Sequence, residues 1–356
     1  MRIRFEHKKL VDALNKINKV ASAYKTSKEY GNLKMSSGDN LAIFEIGNSR
    51  GFLHLEIEGE ILEGGTTYLN ASNFIGVATK LSNKIIDICS NDNEVVITDS
   101  VSKVKLEAIN SNLFIAKEGL TDGKSLGQLT LNGKELNKAV DVCLPFEDAP
   151  QYIPGINLSL QDDGRLRLCC CSNASAGMYF MQPLEVTQDS NPNATLPTQD
   201  FKDICDIINQ DDARIEFFEP LIRITLPNGF VTLRTFNKAY PKIEKIIPSV
   251  FECELPVRVA EFNNALNLID VIASDGSAFI KYQTDKCAIS SKAGFSTNIP
   301  IKLDSEVILK IDRGLFKRVF RLLHQPELTL LYSGYKKPLV VKEGNIIFIL
   351  SVLEQK

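Results

Sequence analysis

No apolar run in this chain approaches the roughly 18 residues that a membrane-spanning helix requires. The run "IIFIL" near the C-terminus is strand-sized. The N-terminus "MRIRFEHKK" is charged and has no apolar signal core, so no export signal is expected. The eight cysteines are then expected to be reduced thiols in a cytoplasmic protein. No C-x-x-C pair exists, and His7, His54 and His324 lie far apart in sequence. "LCCCS" places Cys169, Cys170 and Cys171 in a row, but neighbouring strand residues point to opposite faces, so the three cannot converge on one metal. Small buried thiols, with no metal and no cofactor, are the expectation.

Familiar enzyme patterns are also missing. "GLTDGKS" (Gly119 to Ser125) has three residues between its glycines where a phosphate loop needs four, and the following "LGQLTL" reads as a strand. Neither H-E-x-x-H nor G-x-G-x-x-G occurs. No catalytic residue is assigned. A net charge of −3 excludes neither a nucleic-acid nor a protein partner, because a basic surface can sit on an acidic molecule.

What is present is a repeat. The 356 residues are 44% hydrophobic and 24% charged, ordinary for a globular chain of two or three domains. Leu10, Ala13, Leu14 and Ile17 form one helical stripe. The same spacing returns 126 residues later at Leu136, Ala139, Val140 and Cys143, and 126 later again at Phe262, Ala265, Leu266 and Ile269. A second helix follows in each copy. Its stripes are Phe74, Val77, Ala78, Leu81; Phe201, Ile204, Cys205, Ile208; and Phe316, Val319, Phe320, Leu323, with Ser72, Thr198 and Asp312 placed to cap. After each second helix comes a short β-branched or aromatic run, then a hairpin: "EVVITDSVSKVKLEAI", "LIRITLPNGFVTLRTF" and "PLVVKEGNIIFILSVL". Boundaries in polar stretches divide the chain into copies 1–120, 126–250 and 251–356.

The faces opposite these stripes lean basic. Lys16 and Lys19 lie on the first helix, Lys80 after the second, Lys134 and Lys138 on the third, Lys202 on the fourth, and Arg313, Lys317 and Arg321 on or beside the sixth. The fifth carries Glu261 and Asp270 and is not basic. A solvated helix face explains any one of these alone; several together suggest an anionic partner.

Three such units resemble the bacterial DNA polymerase III β subunit, the β sliding clamp family. "RTFNKAYPKIEKIIPS" (Arg234 to Ser249) resembles the segment that ends the family's second domain, and "LNGKELNKAV" its beginning. The resemblance implies an α+β fold of three clamp domains, each with two helices packed on antiparallel sheets, and a homodimeric ring. The nine basic residues above would face sequence-independent double-stranded DNA. A DNA polymerase and a clamp loader would be partners, with no membrane. A partner-peptide pocket would be carried over to Ile153, Cys171, Asn173, Ala174, Ala176, Pro241, Ile246, Phe348, Leu350 and Val352. Pro241 and Ile246 read equally well as a structural turn and core.

The sequence also departs from the family. The Thr-Asp-Gly-His-Arg-Leu motif is replaced by "CSNASA" (Cys171 to Ala176), and the C-terminal Met-Pro-x-Arg-Leu by "LSVLEQK". Such divergence fits a clamp encoded by a phage or mobile element and working in the host cytoplasm. Two other classes remain open: a ring-forming structural repeat protein without DNA, and an enzyme with an unrecognised site.

Overall fold

The computed structural model describes residues 1–22, 31–47, 50–114, 125–147, 155–172, 175–187, 192–208, 211–303 and 305–354, without the side chains of 20–22. The protein is α+β. Six helices carry the repeated stripes: α1 (His7–Ser22), α2 (Ala71–Ala78), α3 (Gly133–Cys143), α4 (Thr198–Ile208), α5 (Val259–Ile272) and α6 (Arg313–Phe320). None of them is long and apolar enough to cross a membrane.

The periodic residues are the core. All four stripe positions of α1, α3, α4 and α5 are buried, as are Phe316, Val319, Phe320 and Leu323 at α6. Each fully buried Leu, Ile or Phe contributes on the order of 1.5–3 kcal/mol of apolar transfer free energy, so these stripes fix the helices onto their sheets. In α2, Ile75 is buried where Val77 was expected, and Val77 stays half-exposed.

Two of the three expected caps differ. Asp312 caps α6 as expected, its Oδ1 accepting the Leu315 amide at 2.8 Å. For α2 the cap is Asn70, whose side chain accepts the Asn73 amide at 3.0 Å. The strand before it ends at Asn70 in extended geometry, so the helix begins ahead of Ser72. Thr198 is already the first helical residue of α4, buried, and its hydroxyl has no partner among the described residues.

The chain divides into two compact units. The first comprises Met1–Asn137 and Pro183–Asn237. It holds a five-stranded sheet in the order Glu60–Glu63, Arg2–Glu6, Ile85–Ser90, Glu94–Thr98, Lys103–Glu107. Its nine-stranded sheet runs Glu185–Thr187, Gly127–Leu131, Ala213–Phe217, Leu221–Leu226, Gly229–Arg234, Gly51–Glu58, Leu41–Gly47, Asn32–Ser37, Thr66–Asn70. The seam in this sheet pairs Phe230 with His54, joining strands of the first and second copies. Gly229 sits there at φ +151°, and a Cβ would lie 2.0 Å from the His54 carbonyl oxygen, so only glycine fits the turn.

The second unit comprises Lys138–Gln182 and Lys238–Lys356. Seven of its strands form one sheet in the order Ile156–Leu160, Leu166–Ser172, Ser175–Met181, Ile346–Leu350, Leu339–Glu343, Glu327–Tyr332, Cys253–Arg258. Four more run Ser296–Pro300, Lys286–Ser290, Ser277–Tyr282, Val307–Asp312. The expected hairpins are all formed; their turns place Ser100 at φ 74° and Gly344 at φ 56°.

Candidate functional site: basic helix faces and an apolar sheet face

The basic residues fall into two groups. Lys80, Lys134, Lys138 and Arg321 are exposed, and no carboxylate pairs with them among the described residues. The others are engaged. Lys16 donates to Asn228 Oδ1 at 3.4 Å. Lys202 and Lys19 both reach Asp206, at 2.8 and 3.5 Å.

In the second unit Asp270 gathers two cations. Arg313 Nε lies 2.5 Å from Asp270 Oδ1, and Lys317 pairs with the other oxygen. Lys317, then Arg313, hold the Asp270 carboxyl below its usual range. The sequence reading exposed Arg313 toward DNA; the structure leaves it 6% exposed. Its Nη2 donates to the carbonyl of Ala273, the residue that ends α5, at 3.0 Å, and its Nη1 to that of Ser277 at 3.4 Å. A guanidinium there satisfies carbonyls at a helix C-terminus and complements the helix dipole. Arg313 is a structural cation.

The second candidate surface is one face of the seven-stranded assembly. Strand register aligns Cys171, Ala176 and Ile349 in one row and Cys169, Met178 and Ile347 in the next. Because side chains alternate along a strand, these six share a face. Tyr240, Ile243 and Ile247 pack against it, and Phe180 lies alongside. The segment that brings them includes a short 3-10 turn, Ile243–Ile246, and is fastened by the Tyr240 hydroxyl donating to the Cys169 carbonyl at 3.0 Å. Ser175 accepts the Ser351 amide at 2.9 Å, holding the chain just past the last strand. Burial pushes the Cys169 thiol up to about 12 and raises Cys171 as well, which disfavours the nucleophilic thiolate of both.

The opposite face carries the row Cys170, Gly177, Phe348. Here α3 and the turn after it press so close that a Cβ on Gly177 would lie 2.5 Å from the Val142 carbonyl oxygen. Phe146 stacks on Phe348 with centroids 5.8 Å apart.

The predicted pocket residues are therefore divided. Cys171 and Ala176 are on the covered apolar face. Phe348 and, by alternation, Leu350 point the other way, into the helix-side core, and both are fully buried. Ile246 is 42% exposed; its neighbours Ile243 and Ile247 make the contacts. Pro241 and Val352 are half-buried at the margins. Ile153, Asn173 and Ala174 lie outside the described residues. Sequence reasoning missed Tyr240, Ile243, Met178, Ile347 and Ile349. Counting parity outward from Cys171 through a hairpin would have found Met178, but the partner strand Ile346–Leu350 carries no local signal of its register.

Two G-x-S-x-G strings, beginning at Gly47 and Gly123, run directly into the strands Gly51–Glu58 and Gly127–Leu131. A nucleophile elbow needs a strand, a sharp turn and then a helix, so neither string is one.

No family model matches the chain. A β sliding clamp of Staphylococcus epidermidis is 19% identical over 223 residues, which is 61% of this chain and 58% of that relative's length. A β sliding clamp of Staphylococcus aureus is 19% identical over 305 residues, 80% of this chain and 79% of its own. Among solved structures, the Helicobacter pylori β clamp bound to a DNA ligase peptide superimposes with a TM-score of 0.88 at 14% identity, covering 99% of this chain and 100% of that one. The chain has the fold of the bacterial β sliding clamps, the β subunits of DNA polymerase III.

Proposed function

We propose that this chain is a DNA sliding clamp: a closed ring of two copies that encircles duplex DNA and tethers a DNA polymerase. The likeness of fold along the whole chain carries the reading. In it, copies 1–120, 126–250 and 251–356 are three clamp domains, six to a ring, with helices toward the hole.

Lys80, Lys134, Lys138 and Arg321 supply exposed positive charge that attracts phosphates without reading bases, so contacts are weak, mobile and salt-sensitive. Topology provides the retention. A tethered polymerase gains effective concentration at its primer, and no covalent chemistry is asked of the clamp. A clamp loader opens the ring.

Ring closure has two supports. α5 turns Leu268, Val271 and Ile272 outward, 54%, 82% and 50% exposed, an apolar patch that pairing of copies would cover. Among the described residues, the strands Lys103–Glu107 and Ser296–Pro300 end their sheets with edges that a second copy can extend. The part-buried rim of the apolar sheet face, Phe180, Tyr240, Ile247 and Ile347, is the proposed groove for short hydrophobic partner peptides.

Negative-stain electron microscopy at low micromolar protein tests the assembly. A flat six-lobed ring with a central hole is expected. Compact particles without a hole would overturn the ring.

A further inference from the structure

One side of the proposed groove is built by residues 238–248, which reach the sheet face through the 3-10 turn Ile243–Ile246. This stretch holds three lysines, Lys238, Lys242 and Lys245, and a single acid, Glu244. In a 3-10 turn residues three apart stand on one side. Glu244 and Ile247 are turned to the sheet: Ile247 packs on the apolar cluster, and Glu244 pairs with Arg167. Arg167 lies on the same face as Cys169, two residues along its strand, and is 7% exposed. That pair matches the one acid of the stretch with one cation. Lys242 and Lys245 stand on another side of the turn, where the Lys245 amide donates to the Lys242 carbonyl at 3.1 Å. With Lys238 they are exposed, and no carboxylate pairs with the three among the described residues. The chain as a whole carries −3, so positive charge is concentrated here against the general balance.

We infer that the groove selects acidic peptides: an apolar anchor seats on the rim formed by Phe180, Tyr240, Ile247 and Ile347, and carboxylates flanking that anchor face Lys242 and Lys245. The inference rests on the peptide-groove reading and adds to it the charge of the partner. Apolar contact with the rim holds any peptide with a suitable anchor. The ammonium groups beside it speed encounter with acidic partners and repel basic ones, so they choose among anchors of equal size. Because these lysines are exposed, salt screens them, and the choice weakens as ionic strength rises.

The probe is a fluorescent polymerase-derived clamp-binding peptide extended by two residues at each end, all Asp, all Asn or all Lys, titrated against the full chain. At 50 mM NaCl the Asp form should bind about fivefold tighter than the Asn form, the worth of two exposed ion pairs, and the Lys form should bind weakest. At 500 mM NaCl the Asp-to-Asn ratio should shrink toward one. K242Q/K245Q should bring that ratio near one at low salt as well, and K242R/K245R should keep it near the wild-type value. Equal affinity for the Asp and Asn forms in the wild type, or a preference that survives in K242Q/K245Q, overturns the inference; if Ile347→Ser still weakens the Asn form, the groove stands. Affinity for the Asn form unchanged by Ile347→Ser overturns the groove and the inference with it, as does binding of no form.

Discussion

Phe348 stacks on Phe146, while its strand neighbour Ile349 lies on the other face of the sheet, level with Ala176 and Cys171. One step along the chain separates the helix-side core from the proposed peptide groove. The two faces should respond differently to substitution. Phe348→Ala empties a fully buried site and should cost about 3–5 kcal/mol, lowering Tm by roughly 10 °C. Ile347→Ser, on the half-buried groove face, should lower affinity for a polymerase-derived clamp-binding peptide about tenfold with Tm nearly unchanged. Calorimetry and a peptide titration separate the two. Equal loss of peptide affinity in both folded variants would mean the groove is misplaced.

Glu45 gives a pH dependence. A hydrogen bond with His54, then Lys34 at 2.7 Å, hold its carboxyl down to about 2. A depressed carboxylate stabilises the fold above its unfolded pKa near 4.5, and that contribution disappears as pH falls through about 2. Its size is at most about 3 kcal/mol. Glu45→Gln should therefore melt below the wild type at pH 7, and the gap should close between pH 4.5 and 2. A gap of constant size across that interval would rule out linkage through Glu45.

The outward apolar side of α5 bears on assembly. Val271→Glu puts a charge at a position 82% exposed, where it costs the isolated chain little. If copies close over this patch, the variant should sediment as a monomer at concentrations where the wild type is a dimer. Unchanged sedimentation, with the wild type dimeric, would move the interface elsewhere.

The helices were legible in the sequence because Leu10, Leu136 and Phe262 open the same 3.6-residue stripe, and burial of that stripe is what makes each helix. The hairpins were legible from turn chemistry, as at Asn228 and Gly229. The seams were not. Pairing of Phe230 with His54, or of Gly177 with Phe348, joins residues about 170 apart, and no local pattern encodes it. "IIFIL" is buried on both faces, so it lacks the polar alternation that would have told Phe348 from Ile349. The basic residues were countable, and Lys202 with Asp206 is a local i,i+4 pair, but the long-range partners were not: Asp270 reaches Arg313, and Asp206 reaches Lys19, only once α5 meets α6 and α1 meets α4.

The central claim is topological, and its most direct test is retention on DNA of different topology. The protein is loaded onto a nicked circular plasmid with a clamp loader and ATP, then isolated by gel filtration in moderate salt. The account predicts that it stays with the circle and runs off within minutes once a restriction enzyme linearises the plasmid. Retention that survives linearisation would show binding by affinity and would contradict an encircling ring.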